Sequence, residues 1–81
     1  MNTISADTLR LALDAIKAKV EPLQIRDTEL LNEWSRAAGF VPGAQANRSK
    51  AVAARTARLA VQAELDGLNR ARLEIEAALI A

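Results

Sequence analysis

Four basic residues, Arg48, Lys50, Arg55 and Arg58, are the side chains best suited to bind a charged ligand. Residues 44–63 contain these four positive charges and no acidic residue. Arg48 and Lys50 fall where we predict a helix to begin, and a helix N-terminus disfavours cations but attracts phosphate. The four residues are therefore candidates for contact with an anion or a nucleic acid.

The alternative for this basic run is pairing with the acidic residues Asp27, Glu29 and Glu33 of a preceding helix. The run has no interleaved aromatic residues, no glycine-rich loop and no known nucleic-acid motif. We therefore favour pairing within the chain, and binding to nucleic acid is the second hypothesis.

The chain is poorly equipped for catalysis because it contains no histidine, cysteine or tyrosine. The usual metal ligands and general bases are thus missing. Asp27 and Asp66 interrupt apolar stripes and could form a catalytic pair, but pairing with Arg58 and Lys19 is the simpler interpretation. We expect no enzyme, no catalytic residues, no metal site and no cofactor, and a small all-helical enzyme is the least favoured hypothesis.

Length and charge indicate one small domain that is not a general polyanion binder. The 81 residues have room for a single domain, and the net charge is only +1. The sequence has no apolar run of transmembrane length and no signal-peptide pattern. We expect a soluble cytoplasmic protein of bacterial or phage type, associated with the virion if it is phage-encoded.

The residues above must be positioned by helices, and the first helix can be located from its ends. Ser5 is a good N-cap, and Ile4 and Leu9 can pack across the helix start. A single apolar stripe, interrupted only by Asp27, then follows steps of four and three residues, which is typical of a coiled-coil seam. It consists of Leu9, Leu13, Ile16, Val20, Leu23, Leu30, Trp34 and Ala37.

A turn and a second helix follow. Gly39 can close the first helix, Pro42 and Gly43 prevent its continuation, and Asn47 or Ser49 can cap the next one. We predict an all-α fold with one domain over 1–81, a coiled-coil-like antiparallel hairpin. Its helices span about 5–38 and 47–80, and the turn spans 39–46. Pro22 predicts a kink in the first helix, which Gly67 of the second could accommodate.

The charges support an antiparallel register in which facing residue numbers add up to about 86. This register brings five oppositely charged pairs together. They are Arg10–Glu76, Asp14–Arg72, Lys19–Asp66, Asp27–Arg58 and Glu33–Arg55.

Both helices have more apolar surface than one hairpin can bury, which predicts self-association, most simply a dimer forming a four-helix bundle. On the second helix, two apolar stripes lie on nearly opposite sides. One contains Val52, Leu59, Ala63, Leu73, Ala77 and Ile80, and either could close the oligomer. We assign the interface with a second copy or another protein to the other stripe and to a minor stripe of the first helix. The interface residues are Leu11, Ile25, Val61, Leu65, Leu68, Ile75 and Leu79.

The only aromatic residues, Trp34 and Phe40, lie together at the turn, where Phe40 can fold back toward Trp34. With Val41 they could form an apolar tip that contacts a partner, although a local core is the simpler interpretation. The sequence as a whole favours a non-enzymatic interaction module: an adaptor, inhibitor or virion component that binds itself and a larger protein and does not bind membranes.

Overall fold

The computed structural model describes residues 5–80, which form two helices, α1 (Ala6–Ala37) and α2 (Arg48–Ile80). The helices pack against each other as a long hairpin of about 60 × 17 × 15 Å. The fold is thus all-helical, as predicted. Ile4, predicted to pack on Leu9, lies outside the described residues, as do the other positions of 1–4 and residue 81.

α1 begins with the predicted cap. The Ser5 hydroxyl accepts a hydrogen bond from the Thr8 backbone N–H at 3.2 Å, which satisfies one of the free donors of the first turn. Asp7 lies in this turn, where the helix dipole favours negative charge. α1 continues as a single helix through Pro22. A bend at Pro22 remains a prediction.

α1 ends in a Schellman motif. Gly39 takes the left-handed conformation with φ +85°, and its N–H donates to the Arg36 carbonyl at 3.1 Å. The Phe40 N–H donates to the Ser35 carbonyl at 2.9 Å. These two bonds satisfy carbonyls that the helix end leaves free, and only glycine adopts this backbone conformation without strain.

A tight turn then reverses the chain. The Ala44 N–H donates to the Val41 carbonyl at 3.1 Å across Pro42 and Gly43, and Gly43 has φ +81°. This is the residue pattern of a type II turn. The Asn47 side chain caps α2 by accepting from the Lys50 N–H at 3.1 Å, and the Asn47 N–H donates to the Ala37 carbonyl at 2.7 Å. The last bond joins the end of α1 to the start of α2.

The predicted seam of α1 is the face that contacts α2. All eight of its apolar residues and the intervening Asp27 are buried or partly buried. The core is thin, because Leu30, Ala37 and Ala54 are the only fully buried residues described, and Leu30 alone has a large side chain. The small Ala37 and Ala54 let the helices approach closely near the turn.

One of the five predicted ion pairs between the helices forms. The Arg58 Nε donates to Asp27 Oδ1 at 3.0 Å, which confirms the antiparallel register. Arg10, Glu33 and Arg72 pair instead within their own helices, with Asp7, Arg26 and Glu76 respectively. Side chains one or two turns apart on an exposed helix face meet without crossing to the other helix, which explains the difference.

Candidate functional site

The exposed large apolar side chains of α2 all lie on one stripe that faces away from α1. Its large side chains, Val52, Leu59, Leu73 and Ile80, are between 57% and 87% exposed. Further exposed residues fill the gaps between them, so that the whole stripe advances in alternating steps of four and three residues. We call this the outer stripe. It consists of Val52, Thr56, Leu59, Ala63, Asp66, Arg70, Leu73, Ala77 and Ile80.

The opposite face of α2 contacts α1 and contains the five α2 residues that the sequence analysis assigned to an intermolecular interface. All five are partly buried within the single chain, and α1 is the only other described element that can cover them. At roughly 100° per residue, this face and the outer stripe lie about 150° apart around α2. The other stripe is therefore the one that the hairpin leaves exposed. The five residues are Val61, Leu65, Leu68, Ile75 and Leu79.

Two opposite charges occupy the centre of the outer stripe. Asp66 and Arg70 are both exposed, and neither has an oppositely charged group within 4.0 Å among residues 5–80. Lys19, the predicted partner of Asp66, is on α1 and does not reach it. The sequence analysis identified the apolar residues of this stripe but assigned the interface to the opposite one. The steps of four and three from Val52 to Ile80 place Asp66 and Arg70 in the same stripe.

The minor stripe of α1 is exposed, as its assignment to an interface requires, but it is weaker. Leu11 and Ile25 are 70% and 56% exposed. Ala15 and Ala18 between them are exposed but small. Leu11 and Ile25 lie about four helical turns apart, so this stripe offers less continuous apolar area than the outer stripe.

The turn carries a small apolar tip. The Trp34 and Phe40 ring centroids lie 5.4 Å apart with the rings tilted by 45°, so Phe40 folds back onto Trp34 as predicted. This distance is favourable for an aromatic pair. Trp34 is partly buried, whereas Phe40 and Val41 are exposed. The pair thus stabilises the turn and still presents the outer side of Phe40.

The basic run does not act as one cluster. Arg58 is committed to Asp27, whereas Arg48, Lys50 and Arg55 are exposed and have no carboxylate within 4.0 Å among the described residues. Lys50 lines an open groove at the turn end together with Arg26, Arg36 and Glu33. The groove has small apolar residues beside charges of both signs, and Arg26 in it is paired with Glu33.

The described residues give little support for other kinds of site. Over residues 5–80, no three acidic side chains come together as metal ligands would. Neither helix, within the same range, has an apolar stretch long enough to cross a membrane. Asp27 is held by Arg58, and Asp66 lies far around α2 on the outer stripe, so the two carboxylates do not form a pair.

The outer stripe is thus the feature of the hairpin that the fold does not explain. No protein-family model and no curated protein matches this sequence, and no solved structure matches this fold.

Proposed function

We propose that this chain is a non-enzymatic protein-interaction module that associates with itself through the outer stripe of α2. The observation that supports this proposal is the stripe itself: four large apolar side chains, more than half exposed, in coiled-coil spacing along a 33-residue helix. Soluble domains rarely leave so continuous an apolar face uncovered. A helix with two such faces is suited to contact two helices, and the chain provides only one.

The thin core gives a thermodynamic reason for self-association. Burial of one large aliphatic side chain contributes about 1.5–3 kcal/mol, and the described hairpin fully buries only Leu30. Small domains with little core are commonly stabilised by oligomerisation. A dimer through the outer stripe would cover large apolar residues such as Leu59 and Leu73 on each subunit. Folding and association would then be coupled.

In this proposal a dimer brings four helices together and leaves other surfaces free for a larger protein. The minor stripe of α1, with Leu11 and Ile25, and the tip formed by Phe40 and Val41 are the surfaces available for that contact. A bend at Pro22 would tilt the minor stripe relative to the rest of α1. Such a module acts by assembly or by covering a partner's surface, in the cytoplasm or in a virion of a bacterial or phage system.

The decisive experiment is the solution mass, measured by light scattering over a wide concentration range with helicity recorded in parallel. We expect a dimer for the natural chain. Leu59→Asp or Leu73→Asp should shift the mass to that of a monomer, because each places a charge in the outer stripe. The matched control is Leu11→Asp, which changes an exposed leucine on α1 and should leave the mass unchanged.

Two results would contradict the proposal. A natural chain that stays monomeric at every concentration would show that the outer stripe does not mediate self-association. A dimer that tolerates Leu59→Asp and Leu73→Asp but dissociates with Leu11→Asp would place the interface on α1.

Nucleic-acid binding is the second candidate, and the exposed Arg48, Lys50 and Arg55 support it. Binding through several phosphates weakens steeply as salt rises. For each phosphate contact, the association constant falls roughly tenfold for every tenfold rise in salt concentration. A duplex-binding titration between low and physiological salt tests this candidate, with the triple substitution of the three residues by Gln as the matched variant. Absence of binding at low salt would eliminate it.

A further inference from the structure

We propose that the partner of the outer stripe is a second copy of α2 running antiparallel, with Asp66 of each subunit facing Arg70 of the partner subunit. This inference rests on the self-association proposed above and adds its orientation and register. It follows from three observations on the described chain: the spacing of the stripe, its central charges and an otherwise unexplained glycine.

The outer stripe of one α2 helix fits the outer stripe of a second α2 helix that runs in the opposite direction. If the two-fold axis passes at the level of residue 68, Leu59 faces Ala77 of the partner subunit, and Ala63 faces Leu73 of the partner subunit. Leu59 and Leu73 therefore each meet a small side chain, as two interlocking helix surfaces require, whereas Val52 lies beyond the overlap. Residues 56–80 of both chains overlap over roughly 37 Å at 1.5 Å per residue.

The charges select this orientation. In the antiparallel register, Asp66 and Arg70 form two reciprocal ion pairs across the axis, and both side chains are free for them in the single chain. A parallel pair in register would instead place Asp66 against Asp66 and Arg70 against Arg70 of the partner subunit. Like charges facing each other in an apolar seam exclude that arrangement, as they do in coiled coils that select their partners.

Gly67 lies beside the axis and lines an open groove with Pro22 and Leu23 of α1, but no contact within the hairpin requires a glycine there. Glycine is the least favourable residue after proline in a helix interior, and Gly67 lies near the middle of α2. A Cβ added at Gly67 would meet no other atom within 4 Å, so α1 does not require it. In the proposed dimer Gly67 flanks the stripe where the two helices are closest to the axis, and a missing side chain lets the backbones approach.

The proposed interface also determines the order of the four helices in the dimer. Because the outer stripe and the α1-facing side lie about 150° apart around α2, the two α2 helices occupy the centre and the two α1 helices the outside. The four helices thus form an elongated layer, and Leu11 and Ile25 stay exposed on its outer sides. The minor stripe then remains available to a different protein.

Disulfide trapping tests the orientation directly, since the natural chain has no cysteine. Ala63→Cys and Leu73→Cys chains are mixed under mild oxidation and identified by intact mass. The antiparallel register predicts mixed 63–73 dimers and no 63–63 or 73–73 dimers. Copies of residue 63 would lie ten positions apart along the antiparallel pair, about 15 Å, which a disulfide does not span. Ala60→Cys, an exposed alanine beside the stripe, controls for random collision.

Each result has a distinct meaning. Mixed 63–73 dimers that form well above the Ala60→Cys background support the proposal. Abundant 63–63 and 73–73 dimers would show a parallel pair, which overturns the register while self-association stands. A dimer in light scattering without any of these crosslinks would place the interface elsewhere. A monomer would overturn both this inference and the proposed function.

A charge exchange tests the central ion pairs. Asp66→Arg should weaken dimerisation at least about tenfold, because four positive charges then meet at the axis. Arg70→Asp should do the same with four negative charges. The double variant Asp66→Arg/Arg70→Asp restores both pairs, and its dissociation constant should return to within about threefold of the natural value. Equal affinities for all four proteins would contradict the proposed pairs.

Discussion

The two faces of α2 have similar apolar patterns but opposite environments. On the inner face, Leu65 and its neighbours are partly covered by α1, and Arg58 is paired with Asp27. On the outer stripe, Leu59 and Leu73 are exposed, and Asp66 and Arg70 have no ionic partner among residues 5–80. A pattern of apolar residues thus specifies that a helix contacts another helix, but not which face the chain itself covers.

The turn decides which face is covered. The Asn47–Ala37 backbone bond and the Asn47 cap fix where α2 starts relative to the end of α1. Once the start is fixed, the helical period determines which residues of α2 face α1. A few hydrogen bonds at one end of the hairpin are therefore consistent with only one of the two stripes facing α1.

The largest difference between the faces should appear in matched leucine truncations. Leu65→Ala should lower the free energy of unfolding by about 2 kcal/mol, since it removes partly buried apolar contacts with α1. Leu59→Ala should change it by less than about 0.5 kcal/mol in the monomer, because its side chain is exposed. Urea denaturation followed by circular dichroism provides both values.

The protein concentration is the control for this pair of variants. Dilution below the dimer dissociation constant isolates the monomer, whereas at high concentration Leu59→Ala should also become destabilising through lost association. Equal losses for both variants in the dilute monomer would show that the two faces are equally covered within one chain.

Local features of the fold were predictable from the sequence. Ser5, Gly39 and Asn47 act on backbone groups within one helical turn, so residue type and position suffice to predict their role. The α1 seam was equally predictable, because α1 has one dominant apolar stripe. The contact between Trp34 and Phe40 followed from the Schellman motif that brings the chain back over the last turn.

Features that depend on how the helices face each other were less predictable. Of the five ion pairs expected between the helices, only Asp27–Arg58 forms among residues 5–80. Arg10, Glu33 and Arg72 have nearer partners on their own helices, and Asp66 lies on the outer stripe, away from Lys19. Leu65 and Leu68, which we assigned to an intermolecular interface, lie on the face of α2 that contacts α1 for a related reason. Two stripes of similar strength compete for one neighbour, and the rotation of α2 that resolves this competition is not encoded in either stripe alone.

A substitution at Gly67, near the middle of α2, should have a smaller effect than Leu65→Ala. It tests whether α1 comes close to this position. Gly67→Ala should raise the stability of the monomeric hairpin by about 1 kcal/mol, because alanine is the better helix former and the added Cβ meets nothing. Thermal unfolding of the dilute protein measures this gain. A loss of stability would mean that α1 approaches Gly67, as a pronounced bend at Pro22 could produce.

The smallest expected effect concerns the ion pair that joins the inner face to α1. Asp27 and Arg58 have side chains 23% and 32% exposed, so solvent screens part of their attraction. A double-mutant cycle with Asp27→Asn and Arg58→Gln should give a coupling energy of about 0.5–1 kcal/mol, favouring the natural pair.

The same cycle on Asp66 and Arg70 in the dilute monomer should give no more than about 0.5 kcal/mol, the usual value for residues one turn apart. At concentrations where the dimer forms, the coupling between Asp66 and Arg70 should rise above that between Asp27 and Arg58, because the outer pair would then be desolvated between two helices. A coupling at Asp66 and Arg70 that is independent of concentration would show that these charges are equally exposed in both states, and the outer stripe would then lose its central contact.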